Sequence, residues 1–167
     1  MSSAETVWSG KYLSMKRDGT WEYVSRTRGM TAVVILAEHD DRVILVEQFR
    51  VPVGKRVIEL PAGLVGDEDP DAGIEDTAIK ELEEETGFLA DRVERLGEFY
   101  SSPGMASEGF TLVRARGVRP GGTKVEEEID VHLVPKDGVA GFVADQRAAG
   151  AAIDVRLLLL LGGELLD

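Results

Sequence analysis

The stretch Lys80-Glu81-Leu82-Glu83-Glu84-Glu85-Thr86-Gly87-Phe88 places four carboxylates within five residues, and it decides what fold to expect. On a helix, residues three and four apart share a face, so Glu81, Glu84 and Glu85 are predicted to project in one direction. Like charges at this spacing repel each other. A divalent cation such as Mg²⁺ would neutralise them, because hard cations take carboxylate oxygens as ligands.

The same stretch predicts a helix of definite length, from about Ile74 to Thr86. Its other face carries Ala78, Ile79 and Leu82, which is enough apolar surface to dock the helix on a core. Gly87 supplies the left-handed residue that ends it. A solvated acidic face is the ordinary alternative for a run of glutamates, but this run follows a second motif, Leu60-Pro61-Ala62-Gly63.

Together these two motifs resemble the Nudix box, Gly-x5-Glu-x7-Arg-Glu-U-x-Glu-Glu-x-Gly-U, where U is aliphatic or aromatic. The positions that match are Glu81, Leu82, Glu84, Glu85, Gly87 and Phe88. Three features depart from the pattern. Lys80 stands where the box has Arg, the loop after Gly63 is three residues longer, and Ala72 falls where the first Glu should stand. Asp69 or Glu75 could replace that Glu, and the sequence leaves the choice open.

Composition limits the classes of protein to consider. A chain of 167 residues with 43% apolar and 30% charged residues is long enough for one globular domain, expected to span 1–167. Without cysteine it has no disulfide, no thiolate zinc site and no Cys nucleophile. The net charge of −12 argues against nucleic acid as a partner. No apolar run is long enough for a membrane span or an export signal, so we expect a cytoplasmic protein without a membrane partner.

Strand and turn patterns predict a mixed α/β (α+β) fold. Strands are expected at Val7–Arg17 and from Trp21 to Arg26 around Asp18-Gly19, at Met30–Ala37 and Arg42–Phe49 as a second hairpin, at Lys55–Glu59, and at Val93–Tyr100, Phe110–Gly117 and Ile129–Val134. Besides the Glu-rich helix, Gly138–Ala149 is predicted to be a helix. Asp154 is expected to cap a last helix through Leu161.

The resemblance extends over nearly the whole chain and is strongest to the ADP-ribose and ADP-sugar pyrophosphatases of the Nudix hydrolases. The residues that carry it are Gly10-Lys11-Tyr12, Thr20-Trp21-Glu22-Tyr23-Val24 with Arg26, Val46-Glu47-Gln48-Phe49-Arg50, Leu60-Pro61-Ala62-Gly63 and Pro103-Gly104. It implies an α/β/α sandwich with a mixed sheet, and hydrolysis of ADP-ribose to AMP and ribose 5-phosphate. It also implies a homodimer, in which an N-terminal hairpin of about residues 1–28 is exchanged between protomers.

By resemblance, Mg²⁺ or Mn²⁺ is held by Glu81 and Glu85, by the backbone carbonyl of Ala62, and by Glu84, which shares a further ion. Such ions mask phosphate charge and activate water. The family's loop base corresponds to the cluster Glu126-Glu127-Glu128. Glu127 is the first choice and Glu126 the second, while an exposed acidic loop is the structural alternative.

Other positions are candidates for binding the substrate. Arg26 and Arg50 could bind the diphosphate or the terminal ribose as bidentate partners. Tyr12 and Trp21 could sandwich the adenine, although ordinary strand packing explains them equally well. Gly63, Met105 and Glu108 are expected to line the pocket.

Two alternatives to ADP-ribose hydrolysis remain at this point. The first is hydrolysis of GDP-mannose or another sugar nucleotide, because stacking discriminates poorly between purines. The second is a non-catalytic Nudix-like domain that senses a nucleotide. Such a domain typically loses glutamates of the box, whereas this chain keeps Glu81, Glu84 and Glu85.

Overall fold

The computed structural model describes residues 4–27, 30–67, 69, 71–122 and 128–158. Its helices are α1 (Ile74–Thr86) and α2 (Val139–Ala148). Its strands are β1 (Glu5–Ser9), β2 (Leu13–Asp18), β3 (Trp21–Arg26), β4 (Thr31–Leu36), β5 (Glu38–His39), β6 (Arg42–Arg50), β7 (Lys55–Glu59), β8 (Ala62–Val65), β9 (Phe88–Leu89), β10 (Arg92–Phe99), β11 (Phe110–Arg116), β12 (Arg119–Pro120), β13 (Asp130–Pro135) and β14 (Ala152–Ile153). The predicted mixed α and β class is confirmed.

The N-terminal segment forms a three-stranded antiparallel sheet, β1-β2-β3, rather than a single hairpin. The predicted turn at Asp18-Gly19 is present, with Gly19 at φ +59°. The prediction of one strand over Val7–Arg17 was wrong. A second turn divides it, because the Gly10 amide bonds the Leu13 carbonyl at 2.8 Å and folds β1 back on β2.

The central sheet has the order β10-β11-β4-β8, and β4 runs parallel to β11 but antiparallel to β8. Strand β4 is covered on both faces. Val34 and Leu36 point into a core shared with the second sheet, while Val33 and Ile35 point into a core shared with α1. A continuous apolar run is what a strand buried on both faces requires.

The second sheet has the order β13-β6-β7-β14, with β5 paired to β6. The prediction that Met30–Ala37 and Arg42–Phe49 form a hairpin was therefore wrong, because β6 pairs with β5 and not with β4. The turn at Asp40-Asp41 joins β5 to β6, and both residues have positive φ (49° and 58°). Strand β4 itself belongs to the central sheet, because its apolar faces are buried there.

The helix predicted from Ile74 to Thr86 is confirmed as α1. Ala78 and Leu82 are fully buried against the central sheet, and Gly87 ends the helix at φ 73°. The helix predicted at Gly138–Ala149 is α2, and it packs near β13 and β14. Asp154 caps a short 3₁₀ turn, Val155–Leu157, and the rest of the predicted last helix lies outside the described residues. Within the described part of the chain, no helix is long and apolar enough to cross a membrane.

Candidate active site

Strand β8 and helix α1 meet at Gly63 and Glu81. A Cβ atom built on Gly63 would lie 2.1 Å from Glu81 Oε1 and 2.2 Å from its Cδ. The Glu81 side chain therefore lies directly over the backbone of β8, in space that only glycine leaves open. This contact explains why a glycine is required in the Pro-Ala-Gly motif at this point.

Glu85 lies one helical turn beyond Glu81 and points inward. Glu85 is only 7% exposed, and its Oε2 accepts a hydrogen bond from the Ala62 amide at 3.0 Å. Burial raises the pKa of Glu85 to about 8; the Ala62 hydrogen bond opposes this and the Glu81 charge adds to it. A buried carboxylate with so high a pKa is one that a cation would stabilise.

The carbonyl of Ala62 also points toward this side. Because the Ile35 amide bonds the Pro61 carbonyl at 2.9 Å, Ile35 and Pro61 form a hydrogen-bonded pair of the β4–β8 ladder. The next pair, Val34 with Ala62, is then a non-hydrogen-bonded pair, whose backbone groups point away from the partner strand. Gly63 itself lies within β8, at the edge of the sheet, so the Ala62 carbonyl is open because of its place in an edge strand and not because of a turn.

Glu84 lies apart from this pair. Its Oε2 is 3.0 Å from the Lys80 ammonium, and its side chain is 40% exposed. Lys80, which replaces the Arg of the box, thus holds Glu84 on the outer face of α1. Among the described residues, no three acidic or histidine side chains are gathered closely enough to hold a metal ion by themselves.

The longer loop after β8 forms a cavity of about 450 Å³ beside Glu81. Asp69 lines this cavity, and its Oδ1 accepts a hydrogen bond from the Asp71 amide at 3.0 Å. Glu75 is engaged elsewhere, in a two-bond ion pair with Arg95 of β10 at 2.7 and 3.0 Å. Of the two candidates for the missing Glu, Asp69 is the one that shares a cavity with Glu81.

A larger cavity of about 660 Å³ opens beside Ala62 and Gly63. Arg50, at the end of β6, lies along its wall and donates to Glu59 Oε2 at 2.8 Å. Glu59 is only 4% exposed, and burial raises its pKa despite the arginine. A guanidinium held by one carboxylate keeps further donors for an anion that enters the cavity.

Arg26 and Glu108 form a second ion pair on the same cavity, at 2.7 Å. They are 82 residues apart in sequence, and strand β3 brings them together. The Val24 amide bonds the Met105 carbonyl and the Ser107 amide bonds the Val24 carbonyl, both at 2.9 Å. The N-terminal sheet is thereby fixed to the loop that precedes β11.

The aromatic candidates lie elsewhere. Tyr12 and Trp21 are 53% and 63% exposed on the N-terminal sheet, and neither lines the 660 Å³ cavity. The Lys11 ammonium lies 4.8 Å from the Tyr12 ring centroid. Met105 is 63% exposed and contributes its carbonyl to β3 rather than a side chain to the cavity.

Glu126 and Glu127, the candidates for the general base, lie outside the described residues. The strand that follows them is well anchored. Asp130 pairs with Arg56, which in turn donates to Glu47 Oε1 at 2.7 Å. This anchor fixes where the loop rejoins the second sheet.

Three residues that line the cavity escaped the sequence analysis: Glu59, Asp154 and Arg156. The one signal for Glu59 is a charged residue inside the otherwise apolar run Val57–Leu60. Asp154 was considered only as a helix cap. Arg156 was absent from every pattern, because its partner Glu59 is almost one hundred residues away.

The profile of the NUDIX domain matches residues 27–152. The chain belongs to the Nudix family. The expected kinship is confirmed, and the carboxylates of α1 over β8 are its Nudix box. Nudix hydrolases generally use divalent metal ions.

Curated relatives carry this assignment further. The chain is 30% identical to the methanol dehydrogenase activator of Bacillus methanolicus over 156 residues, covering 86% of this chain and 82% of that protein. It is 46% identical to the ADP-ribose pyrophosphatase of Bacillus subtilis over 79 residues, covering 46% of this chain and 40% of that protein. It is 36% identical to the GDP-mannose pyrophosphatase of an Enterobacter species, covering 80% of this chain and 72% of that protein.

A crystal structure of an ADP compounds hydrolase has the same fold. It aligns with a TM-score of 0.72 over 98% of this chain and 91% of that chain, at 22% identity. At this identity the likeness establishes the fold alone, which is the expected Nudix fold. Family and relatives together confirm the prediction of a Nudix pyrophosphohydrolase.

The donors at the box suit the divalent ion that the family implies. Glu85 presents a buried carboxylate that forms no ion pair with any described residue, Glu81 lies beside it, and the Ala62 carbonyl points away from its ladder. All three are hard oxygen donors, the type that Mg²⁺ and Mn²⁺ prefer. The residues therefore fit such an ion.

Proposed function

We propose that this Nudix enzyme hydrolyses the diphosphate bond of a nucleoside diphosphate sugar, with ADP-ribose giving AMP and ribose 5-phosphate. One observation carries the proposal. The Glu81 and Glu85 side chains contact Gly63 and Ala62, and these two residues line a 660 Å³ cavity whose other walls carry Arg50 and Arg26. Acidic groups for a cation beside basic groups for phosphate are what a diphosphate substrate needs. The similarity to an ADP-ribose pyrophosphatase supports the choice of sugar nucleotide.

The side chains divide the work between them. Arg50 and Arg26, each oriented by a carboxylate, hold the non-bridging oxygens of the diphosphate. Glu81, Glu85 and the Ala62 carbonyl would hold Mg²⁺ or Mn²⁺, and Glu84, which is paired with Lys80, would share a further ion. When bound, the metal masks the charge of the diphosphate and lowers the pKa of water. Burial of Glu85 keeps bulk water from competing for this position.

The proton of the attacking water needs an acceptor away from α1. Glu127, with Glu126 as the second choice, is proposed to take it. The segment that carries both residues ends at the anchored start of β13. A loop base that approaches only when substrate is bound excludes water before the reaction.

We also propose that the chain is one cytoplasmic domain over 1–167 that forms a homodimer through the N-terminal residues 1–28. The N-terminal sheet exposes several large apolar side chains. Its large side chains between 40% and 63% exposed are Val7, Trp8, Tyr12, Leu13, Met15 and Trp21. Pairing of two such sheets would cover these residues and bring Trp21 of one protomer toward the cavity of the other, where adenine could stack.

GDP-mannose is the second candidate substrate. It is favoured by the similarity to a GDP-mannose pyrophosphatase, which covers 80% of this chain against 46% for the ADP-ribose pyrophosphatase. The described walls of the cavity do not favour adenine over guanine.

A substrate panel tests the proposal. Initial rates are measured on ADP-ribose, ADP-glucose and GDP-mannose with Mg²⁺, with Mn²⁺ and with EDTA, and products are analysed in ¹⁸O-labelled water. We expect metal-dependent release of AMP from ADP-ribose at the highest kcat/KM. A higher kcat/KM on GDP-mannose would replace the substrate assignment.

A matched pair of variants tests the role of the box. Glu85→Gln should lower kcat by about two decades or more without lowering the melting temperature of the metal-free protein, because it removes a carboxylate donor from the cation site. Glu83→Gln makes the same change of charge on the same helix, outside the matched glutamates of the box, and should retain most activity. Wild-type protein that binds nucleotide but releases no product would establish a sensor instead.

A further inference from the structure

The floor of the 660 Å³ cavity is formed by four charged residues that lie outside the Nudix box: Arg50, Glu59, Asp154 and Arg156. Arg156 follows the short strand β14, is 18% exposed, and makes a fork with Asp154: Nε donates to Oδ1 at 2.8 Å and Nη2 donates to Oδ2 at 2.5 Å. The Arg156 amide also donates to Asp154 Oδ1 at 2.7 Å. Side chain and backbone therefore fix the plane of the guanidinium.

Two further contacts hold Arg156 in place. Its Nη2 lies 3.5 Å from Glu59 Oε1, so Glu59 has Arg50 on one oxygen and Arg156 near the other. The guanidinium carbon lies 5.8 Å from the centroid of the Phe110 ring. Although burial disfavours both charges, Arg156 holds the pKa of Asp154 below its usual value. None of the contacts of Arg156 with the described residues uses Nη1.

The balance of charge on this floor decides which part of a substrate suits it. Arg156 faces two carboxylates, Glu59 and Asp154, whereas Arg50 and Arg26 each pair with one, so the surroundings of Arg156 have no surplus of positive charge. A second anion would meet two carboxylates there and be repelled. A neutral polyol, whose hydroxyls both donate and accept, would satisfy both kinds of group.

We propose that Arg156, held by Asp154 and Glu59, is a specificity-determining residue that hydrogen-bonds the hydroxyls of the sugar beyond the diphosphate. The inference rests on the proposed function and deepens it by assigning a sugar subsite. Arg50 and Arg26 then remain for the diphosphate itself. The subsite selects diphosphates that carry a neutral sugar over those that carry only a small alkyl group.

A comparison of two substrates tests this assignment. ADP-ribose is compared with the ethyl ester of ADP, which keeps the diphosphate bond but lacks the sugar hydroxyls. Arg156→Met should lower kcat/KM on ADP-ribose by roughly 10- to 100-fold, the value of one or two hydrogen bonds to a charged group. On the ethyl ester, kcat/KM should stay within about threefold, since no bond to a hydroxyl is lost there.

The ratio of the two kcat/KM values within one preparation does not depend on the fraction of active protein. Arg156→Lys keeps a cation between Glu59 and Asp154, so it serves as the test even where Arg156→Met folds poorly. It should lower the ratio of kcat/KM on ADP-ribose to that on the ethyl ester by at least about fivefold, because an ammonium lacks the planar fork. Arg147→Met, on the exposed face of α2, is the matched control and should leave the ratio unchanged.

Two results would separate the claims. An equal loss on both substrates, or no loss on either, in the Arg156 variants would overturn the sugar subsite while the hydrolase assignment stands. Wild-type protein that hydrolyses neither substrate with Mg²⁺ or Mn²⁺ would instead overturn the proposed function.

Discussion

Replacing Gly63 by alanine tests the geometry of the box with a single methyl group. The added Cβ would lie 2.1 Å from Glu81 Oε1, 2.2 Å from Cδ and 2.3 Å from Cγ. Non-bonded heavy atoms do not approach so closely, so the outer half of the Glu81 side chain must move. Gly63 lies in an ordinary strand and not in the left-handed region, so alanine itself suits the backbone.

The size of the effect follows from the distances. To restore even a tight contact of about 3 Å, the Glu81 carboxylate must shift by about 1 Å, and a misplacement of this size costs roughly a hundredfold in rate. The fold should tolerate the change, because Glu81 is partly exposed and the end of its chain can swing away. We therefore expect kcat to fall about a hundredfold at a melting temperature close to that of wild type.

The assay measures kcat on ADP-ribose with Mg²⁺, the melting temperature, and the affinity for Mn²⁺. Gly141→Ala is the control, because a Cβ on Gly141 in α2 would meet no atom within 4 Å. Gly63→Ala protein that melts normally and keeps kcat within a few fold of wild type would refute the reasoning, since Glu81 could then move freely without loss.

Three further predictions concern stability, the base and the N-terminal sheet. Because the pKa of Glu85 is raised from 4.5 to about 8, metal-free protein in EDTA should lose stability as pH rises through this range, each pKa unit being worth about 1.4 kcal/mol. Glu85→Gln should reduce this slope in melting experiments and leave the part that belongs to Glu59, whose pKa is also raised by burial. A slope equal to that of wild type would contradict the shift. Glu127→Gln should lower kcat by about 10²–10⁴-fold at unchanged Mn²⁺ affinity, whereas Glu126→Gln should lower it by less than about tenfold. The reverse order of the two losses would make Glu126 the base. Trp21→Ala should raise KM for ADP-ribose by roughly tenfold or more if adenine stacks there, whereas an unchanged KM would limit Trp21 to packing.

Local patterns predicted the elements whose partners are local. Helix α1 was predicted from about Ile74 to Thr86 and is confirmed, because its apolar spacing and Gly87 act within one segment. Strand pairing was predicted less well. Alternation shows that β4 and β6 are buried strands, but it carries no information on which strand lies beside which, and here they belong to different sheets. The Gly10 turn was missed because its flanking residues continue a strand pattern.

The residues of the candidate site show the same difference between local patterns and long-range contacts. Glu81, Glu85 and Ala62 come from one motif, and the structure brings them together at β8. Glu59, Asp154 and Arg156 meet only because β14 pairs with β7, a contact across about ninety-five residues that no local pattern reports. The departures from the box lie in two places: the longer loop with Asp69 lines a cavity beside Glu81, and Lys80 pairs with Glu84 on the exposed face of α1.

The most direct test of the central claim is a crystal soaked with Mn²⁺ and a non-hydrolysable ADP-ribose analogue, examined by anomalous scattering. The account predicts an anomalous peak between the carboxylates of Glu81 and Glu85, next to the Ala62 carbonyl and in contact with the diphosphate of the analogue. A bound analogue with no peak at these carboxylates, or a peak only at other residues, would contradict it.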